Sequence, residues 1–393
     1  MAVPDLQTLL AQGVRGQRVL VRADLNVPLD GDRITDDTRI RASLPTLREL
    51  LAAGARVAVV SHLGRPKGKA VPELSLRPVA PRLAELLGQG VSFCPACIGP
   101  EAAAAVDALG DGEVVLLENV RFHEGETKND PDFARALAAL VDVYVNDAFG
   151  TAHRAHASTA GIAGLVTRVA AGRLLQSELD HLRVVREPER PLMVVLGGAK
   201  VSDKLAVLEA LAPHADVLAI GGAMSYTFMA AQGLPVGASR LEADRIDDAK
   251  AVLAAAESSG RTLLLPTDHV VAEKLEAGVP TRVVREIPDG FMGLDIGPET
   301  AERYAAEIAR ARTFFWNGPR GVFEIPEFAE GTRRVAIAAG ETDATTVVGG
   351  GDSLAAVNQL GVGDKITHLS TGGGASLEYV QGLVLPGVAA LER

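Results

Sequence analysis

One device recurs along the whole chain: four to six aliphatic residues, then a turn of Gly, Asp, Asn or Ser, then an alanine-rich stretch with helical spacing. In the first half the runs are RVLVRADLN (18–26), RVAVVSHLG (56–64), EVVLLENVR (113–121) and VDVYVNDAFG (141–150). In the second half they are PLMVVLGG (191–198), DVLAIGG (216–222), RTLLLPTD (261–268), TFFWNGP (313–319), TTVVGGG (345–351) and KITHLSTGGG (365–374). Short aliphatic runs alternating with helical segments predict βαβ units and mainly parallel sheets. Aromatic residues are only 4% of the chain, while 47% is hydrophobic. The cores must therefore be built from Val, Leu, Ala and Ile, as suits strands buried on both faces.

A chain of 393 residues is long enough for two domains. The helical-looking AAGRLLQSELDHLRVVRE ends at REPERP (186–191), whose prolines and charges suit neither a helix nor a core strand. The junction is expected there, with domains at 1–185 and 186–375. The tail carries Pro386-Gly387 before a short apolar end and could pack on either domain. No repeat of 20–50 residues is visible. The start MAVPDLQTLLAQGVRG has no charged region followed by an apolar one, and no stretch could span a bilayer, so a cytoplasmic location is expected. The net charge of −11 disfavours nucleic acid and anionic membranes as partners, so any anion site must be a local basic cluster. The CPAC pair, Cys94 and Cys97, reads as two small residues in a turn after a strand, with a redox motif as the alternative.

Ligands of open α/β sheets bind outside the carboxyl ends of the strands. The first-half exits carry Arg22, Asp24 and Asn26, then Arg39, His62, Arg65, Arg121 and His153-Arg154 with His156. Arginines converging on one sheet edge repel one another, and a phosphate or carboxylate resolves the repulsion. His153 and His156 could be metal ligands, but with Arg154 between them a basic anion-binding turn is favoured. The second-half exits are glycine turns: GGAK, IGGAM, WNGP, VGGGDS and STGGG. Five such turns at successive exits suggest a nucleotide or polyphosphate cleft, since glycine lets backbone N–H groups approach phosphate. None fits G-x-G-x-x-G, and the P-loop pattern is absent, so an NAD-dependent dehydrogenase is disfavoured. An anion-binding protein without chemistry would leave the second cleft unexplained. Lys200 and Lys204 are expected near a helix start, where their charge opposes the macrodipole and asks for an anion. Asp352 is either a Mg²⁺ ligand or a helix N-cap.

The motifs RADLNVPL, TDDTRIRASLPT, SHLGRPKG, LLENVRFHEGE, VNDAFGTAHRAHAST, LGGAKVSDKL, LDIGPET, WNGPRGVFE, GGGDS, LSTGGGASLE and LPGVAAL occur in the order found in phosphoglycerate kinases, and from about Arg22 to Leu391 the chain resembles that family. The resemblance implies two Rossmann-like three-layer α/β/α domains joined by a helix hinge, acting as a monomer, with the tail from about residue 376 returning to the N-terminal domain. It implies reversible phosphoryl transfer between 1,3-bisphosphoglycerate and Mg-ADP, giving 3-phosphoglycerate and Mg-ATP, in glycolysis and gluconeogenesis. Asp24, Leu25, Asn26, Arg39, His62, Leu63, Gly64, Arg65, Arg121 and Arg154 stand at the phosphoglycerate-binding positions. Lys200, Lys204, Gly221, Gly222, Gly293, Leu294, Asn317, Glu324, Gly350, Gly351, Asp352 and Ser353 stand at the nucleotide-binding positions, with Asp352 the candidate Mg²⁺ ligand. Arg39, Lys204, Gly372 and Gly373 are the expected catalytic residues. Two departures from the family pattern stand out: Ala23 where Val or Ile is usual, and Arg320 where Met is common.

Overall fold

The computed structural model describes residues 3–392. The chain forms two compact units. One runs up to Leu179 and is rejoined by the chain from Val384 onward; the other runs from Asp180 to Leu383. The division falls inside the helix Arg173–Arg186, not in REPERP, which instead forms the lead into the next strand. The rejoining tail starts at 384, later than 376. Residues Gly374–Val380 are a helix packed on the helix Leu205–Leu211, which holds them in the second unit.

In the first unit the strands are β1 (Arg18–Ala23), β2 (Leu29–Asp30), β3 (Arg33–Ile34), β4 (Arg56–Val60), β5 (Val91–Cys94), β6 (Val114–Leu117), β7 (Val143–Asp147) and β8 (Arg168–Ala171). Six form one parallel sheet in the order β5-β6-β4-β1-β7-β8, and β2 and β3 form a small hairpin. Strands β1, β4, β6 and β7 are buried almost throughout, the expected cost-free place for runs of Val, Leu and Ala with no polar face. The helix Thr38–Ala52 covers one face with Ile40, Leu44, Leu47 and Leu51, spaced three or four apart, which is one stripe of a helix. Truncating Leu47, fully buried there, to alanine costs about 2–5 kcal/mol.

The second unit holds β9 (Leu192–Leu196), β10 (Val217–Ile220), β11 (Thr262–Leu264), β12 (His269–Ala272), β13 (Arg282–Val284), β14 (Met292–Ile296), β15 (Thr313–Asn317), β16 (Thr345–Gly349) and β17 (His368–Ser370). Its parallel sheet is ordered β11-β10-β9-β15-β16-β17. A separate antiparallel sheet, β13-β12-β14, was not expected from the sequence. Its strands are three to five residues long, too short for a period-2 pattern to stand out. Edge strands β5 and β8 were also missed, being short and interrupted by Ser and Arg.

Both parallel sheets start at an inner strand, fill one side, and then fill the other. The chain thus reverses direction between β1 and β7 in one sheet and between β9 and β15 in the other. These are the switch points where such sheets open a crevice. At the first, Arg22 pairs with Asn146 and Ala23 with Asp147; at the second, Leu196 pairs with Asn317.

Candidate active site

In the first unit the residues leaving β1, β4 and β6 are wired together by hydrogen bonds. Arg39 Nη1 donates to Asp24 Oδ2 at 2.8 Å. Asp24 Oδ1 accepts the Asn26 N–H at 3.3 Å and lies 4.0 Å from His62 Nδ1. Asn26 Oδ1 accepts the Gly64 N–H at 2.8 Å, and Arg121 Nη1 donates to the Gly64 carbonyl at 3.0 Å. Leu25 and Leu63 are buried. They act through backbone, the Leu25 N–H donating to Ser61 Oγ and the Leu63 carbonyl accepting from Asn119.

Next to this web lies a cavity of about 430 Å³ lined by Arg65, Lys67, Arg121, Glu124, Arg154 and His156, among others. Arg65, Arg121 and Arg154 have no ion-paired carboxylate among the described residues, while Glu124 is taken by Lys128. The crowding of positive charge registers on the titrating groups. Burial, then the charges of Arg22 and Arg154, push Arg121 down to about 10. Burial, then Arg121, Arg22 and Arg154, push His156 down to about 4. Burial first, and Arg22 second, hold His62 well below its ordinary value. An anion in this cavity relieves all three.

The sequence did not reveal the buried network behind the arginines. Arg22 is fully buried, donates to Ser158 Oγ at 2.8 Å and approaches His62 Nδ1 at 3.2 Å. Buried Glu126 accepts from the Ser158 N–H and hydroxyl, at 2.9 and 2.7 Å. His156 lies 3.7 Å from the same carboxylate, and His153 accepts from Arg154 Nε. The two histidines thus belong to a basic turn, and no group of three or more His, Cys, Asp or Glu that could hold a metal ion exists among the described residues. Lys67 and Lys128 were also missed, though GRPKGK and GETK carry them in plain sight.

In the second unit a cavity of about 310 Å³ opens at the β9–β15 switch point, lined among others by Gly198, Gly222, Gly293, Leu294, Glu324 and Asp352. Gly222 has φ +68°, and a Cβ there would stand 2.8 Å from the backbone N and O of Gly198, so the two glycine turns can approach only without side chains. Gly350, at φ +93°, caps the helix Gly351–Gln359, and a Cβ would stand 2.8 Å from Asn317 Nδ2. Asn317 is the hub of the floor: Oδ1 accepts from Lys204 Nζ, and Nδ2 donates to the Gly349 carbonyl at 2.8 Å. Ser353 Oγ accepts the Gly318 N–H at 2.6 Å. Burial holds the Lys204 ammonium below its ordinary value, against the pull of Asp203 and Asp352.

Two expectations change. The helix after GGAKVSDK starts at Leu205 with Lys204 as its N-cap, so Lys200 lies in the preceding loop and the macrodipole argument applies to Lys204 alone. Gly350 is the N-cap of the helix Gly351–Gln359, and exposed Asp352 lies in its first turn without a cap bond, so its carboxylate caps nothing. Gly221 sits at the exit of β10, with its N–H on the Leu196 carbonyl at 3.0 Å. Gly372 and Gly373 follow edge strand β17. The helix they precede packs on the helix that Lys204 caps. Cys94 and Cys97 are both free and buried, and burial pushes both thiols up.

The phosphoglycerate kinase family profile matches residues 9–383. Phosphoglycerate kinase of Rubrobacter xylanophilus is 58% identical, covering 96% of each chain, and that of Acaryochloris marina is 53% identical, covering 100% of each. Among solved structures, phosphoglycerate kinase of Coxiella burnetii superposes with a TM-score of 0.92 at 40% identity over 99% of both chains. That of Pyrococcus horikoshii gives 0.84 at 32% identity over 99% of this chain and 98% of the other. The chain belongs to the phosphoglycerate kinase family.

Proposed function

We propose that the first unit binds 3-phosphoglycerate or 1,3-bisphosphoglycerate, that the second binds ADP or ATP with Mg²⁺, and that the protein works as a monomer. The observation that carries this reading is the pairing of two unlike crevices at equivalent switch points. One presents three arginines without ion partners among the described residues, and the other glycine turns beside Asn317, which holds Lys204. The family membership makes the chain a phosphotransferase with a carboxyl group as acceptor.

The attacking or leaving oxygen is a carboxylate, ionised at neutral pH, so no general base is needed. Catalysis is positioning and charge stabilisation, the usual logic of phosphoryl transfer. Arg65, Arg121 and Arg154 hold the phosphate of the phosphoglycerate. Arg39, oriented by Asp24, meets the transferring group. Lys204, steered by Asn317, meets it from the nucleotide side, with the N–H groups of Gly372 and Gly373 assisting. Asp352, exposed and uncommitted, fits a divalent ion held by one carboxylate together with nucleotide phosphates. Mg²⁺ bound there would neutralise charge on the phosphates.

Bringing both substrates into line requires the units to close on their ligands, which also excludes water. A coupled assay with 3-phosphoglycerate and Mg-ATP tests the reaction, and absence of turnover would sink it. Small-angle scattering with and without both ligands tests closure; identical dimensions would refute that step. Sedimentation at assay concentration tests the monomer.

A further inference from the structure

Arg320 is among the largest side chains in the molecule that are fully buried, at 1% exposure. It sits at the switch point of the second sheet, where the β9 and β15 loops part. Nη1 donates to the Leu196 carbonyl at 2.7 Å and Nη2 to the Gly318 carbonyl at 2.5 Å. Its own N–H donates to Thr332 Oγ1 at 2.9 Å, and its carbonyl accepts from Gly222 at 2.9 Å. A side chain at Gly197 would run into the guanidinium, and one at Gly221 would stand 3.1 Å from Cδ. The arginine is thus the underside of three glycine turns at once, and it lines the floor of the 310 Å³ cavity.

This cation has no counter-charge bonded to it. No carboxylate pairs with it among the described residues, and Nε has no partner. The nearby acid, Asp295, spends its oxygens on the N–H groups of Ile296 and Gly331, at 2.9 and 2.7 Å. Burial pushes that carboxyl up to about 8, against the pull of those two N–H groups and of Arg320. A buried guanidinium left unpaired is costly, and an anion in the cavity above would complete it.

We propose that Arg320 is a positioning residue of the nucleotide site: a buried cation that clasps the β9 and β15 loops and holds a positive field under the polyphosphate. This rests on the reading that the second unit's cleft holds the nucleotide. Charge and shape predict different patterns of loss. A residue that only props the loops affects every nucleotide alike; one that acts by charge affects ligands in proportion to their phosphates.

The experiment is calorimetric titration of ATP, ADP and adenosine into the full-length protein, parent and variants, with thermal melts as a folding check. Arg320→Gln is expected to weaken ATP about tenfold, ADP less, and adenosine by less than about twofold. Arg320→Lys, which keeps the charge, is expected to bind ATP within about threefold of the parent. Equal losses for all three ligands, or no loss, would overturn the proposal. If Arg320→Gln does not fold, Arg320→Lys decides: retained ATP affinity supports the proposal and a tenfold loss overturns it. Leu294→Trp, which fills the cavity, separates the two readings. If that variant binds ATP like the parent, the cleft is not the nucleotide site. If it loses ATP while Arg320→Gln binds all three ligands normally, only the role of Arg320 is lost.

Discussion

Replacing Arg39 by alanine should separate activity from stability. Arg39 makes one charged bond, 2.8 Å to Asp24, and its side chain is 39% exposed. A pair that exposed contributes about 0–1 kcal/mol, because solvent screens it and the side chain gains freedom when released. In a unit of this size that lowers the melting temperature by less than about 4 °C. Asp24 does not become an orphan, since it keeps the Asn26 N–H and the neighbouring His62. Turnover should behave differently. A preorganised donor on the developing charge is worth about 3–4 kcal/mol, and an arginine on a transferring phosphoryl group about 10³-fold or more. The expected variant therefore melts like the parent, binds ATP within about twofold, and turns over about 10³-fold more slowly. Steady-state kinetics in the coupled assay, scanning calorimetry and nucleotide titration read the three quantities. Turnover within tenfold of the parent would remove Arg39 from the transferring group. A large fall in melting temperature would mean that its bond to Asp24 is structural after all.

Lys204→Ala should cut turnover by about 10²-fold or more while leaving 3-phosphoglycerate binding unchanged; an active variant would show that its bond to Asn317 serves only the loop. Asp352→Asn should raise the KM for Mg-ATP and the Mg²⁺ concentration needed for half-maximal rate, and an unchanged Mg²⁺ titration would assign the ion elsewhere. Acid should destabilise the second unit through His269. That ring is fully buried with neither nitrogen bonded among the described residues, and burial lowers it from 6.5 to about 4. Its folded pKa lies below the unfolded one, so the stability it withholds is absent above about pH 6.5 and grows as pH falls toward 4, to roughly 3 kcal/mol. Urea unfolding of His269→Val at pH 7 and pH 4.5 should show a smaller loss between the two than the parent; an equal loss would clear His269.

The sheets were legible because aliphatic runs of five residues have few other places to go, and the clefts because a parallel strand presents its ligand groups at a fixed end. That rule singled out Arg121, Arg154 and the glycine turns, which the fold places beside the two cavities, without any side-chain contact. It could not find the Arg22–Ser158–Glu126 web, whose bonded members lie 136 and 32 positions apart in sequence and meet only in the fold. Whether Asp352 was a cap or a free carboxylate turned on the +93° backbone of Gly350, two residues upstream. Arg320 stood out only as a departure from the family pattern, since nothing in NGPRG tells that both flanking loops fold over it.

The return of the chain to the first unit has a consequence for the order of assembly. The Gly387 N–H bonds the Ala152 carbonyl at 2.8 Å, and Asn146 Nδ2 bonds the Gly387 carbonyl at 3.1 Å. Those two bonds strap down the loop that carries Arg154. During synthesis, all eight strands of the first unit emerge before the second unit is begun, but the strap emerges only after the second unit has been made. A nascent first unit can collapse around its sheet, yet its basic turn is left without its last fastening. The basic turn is thus completed only after the second unit has been synthesised.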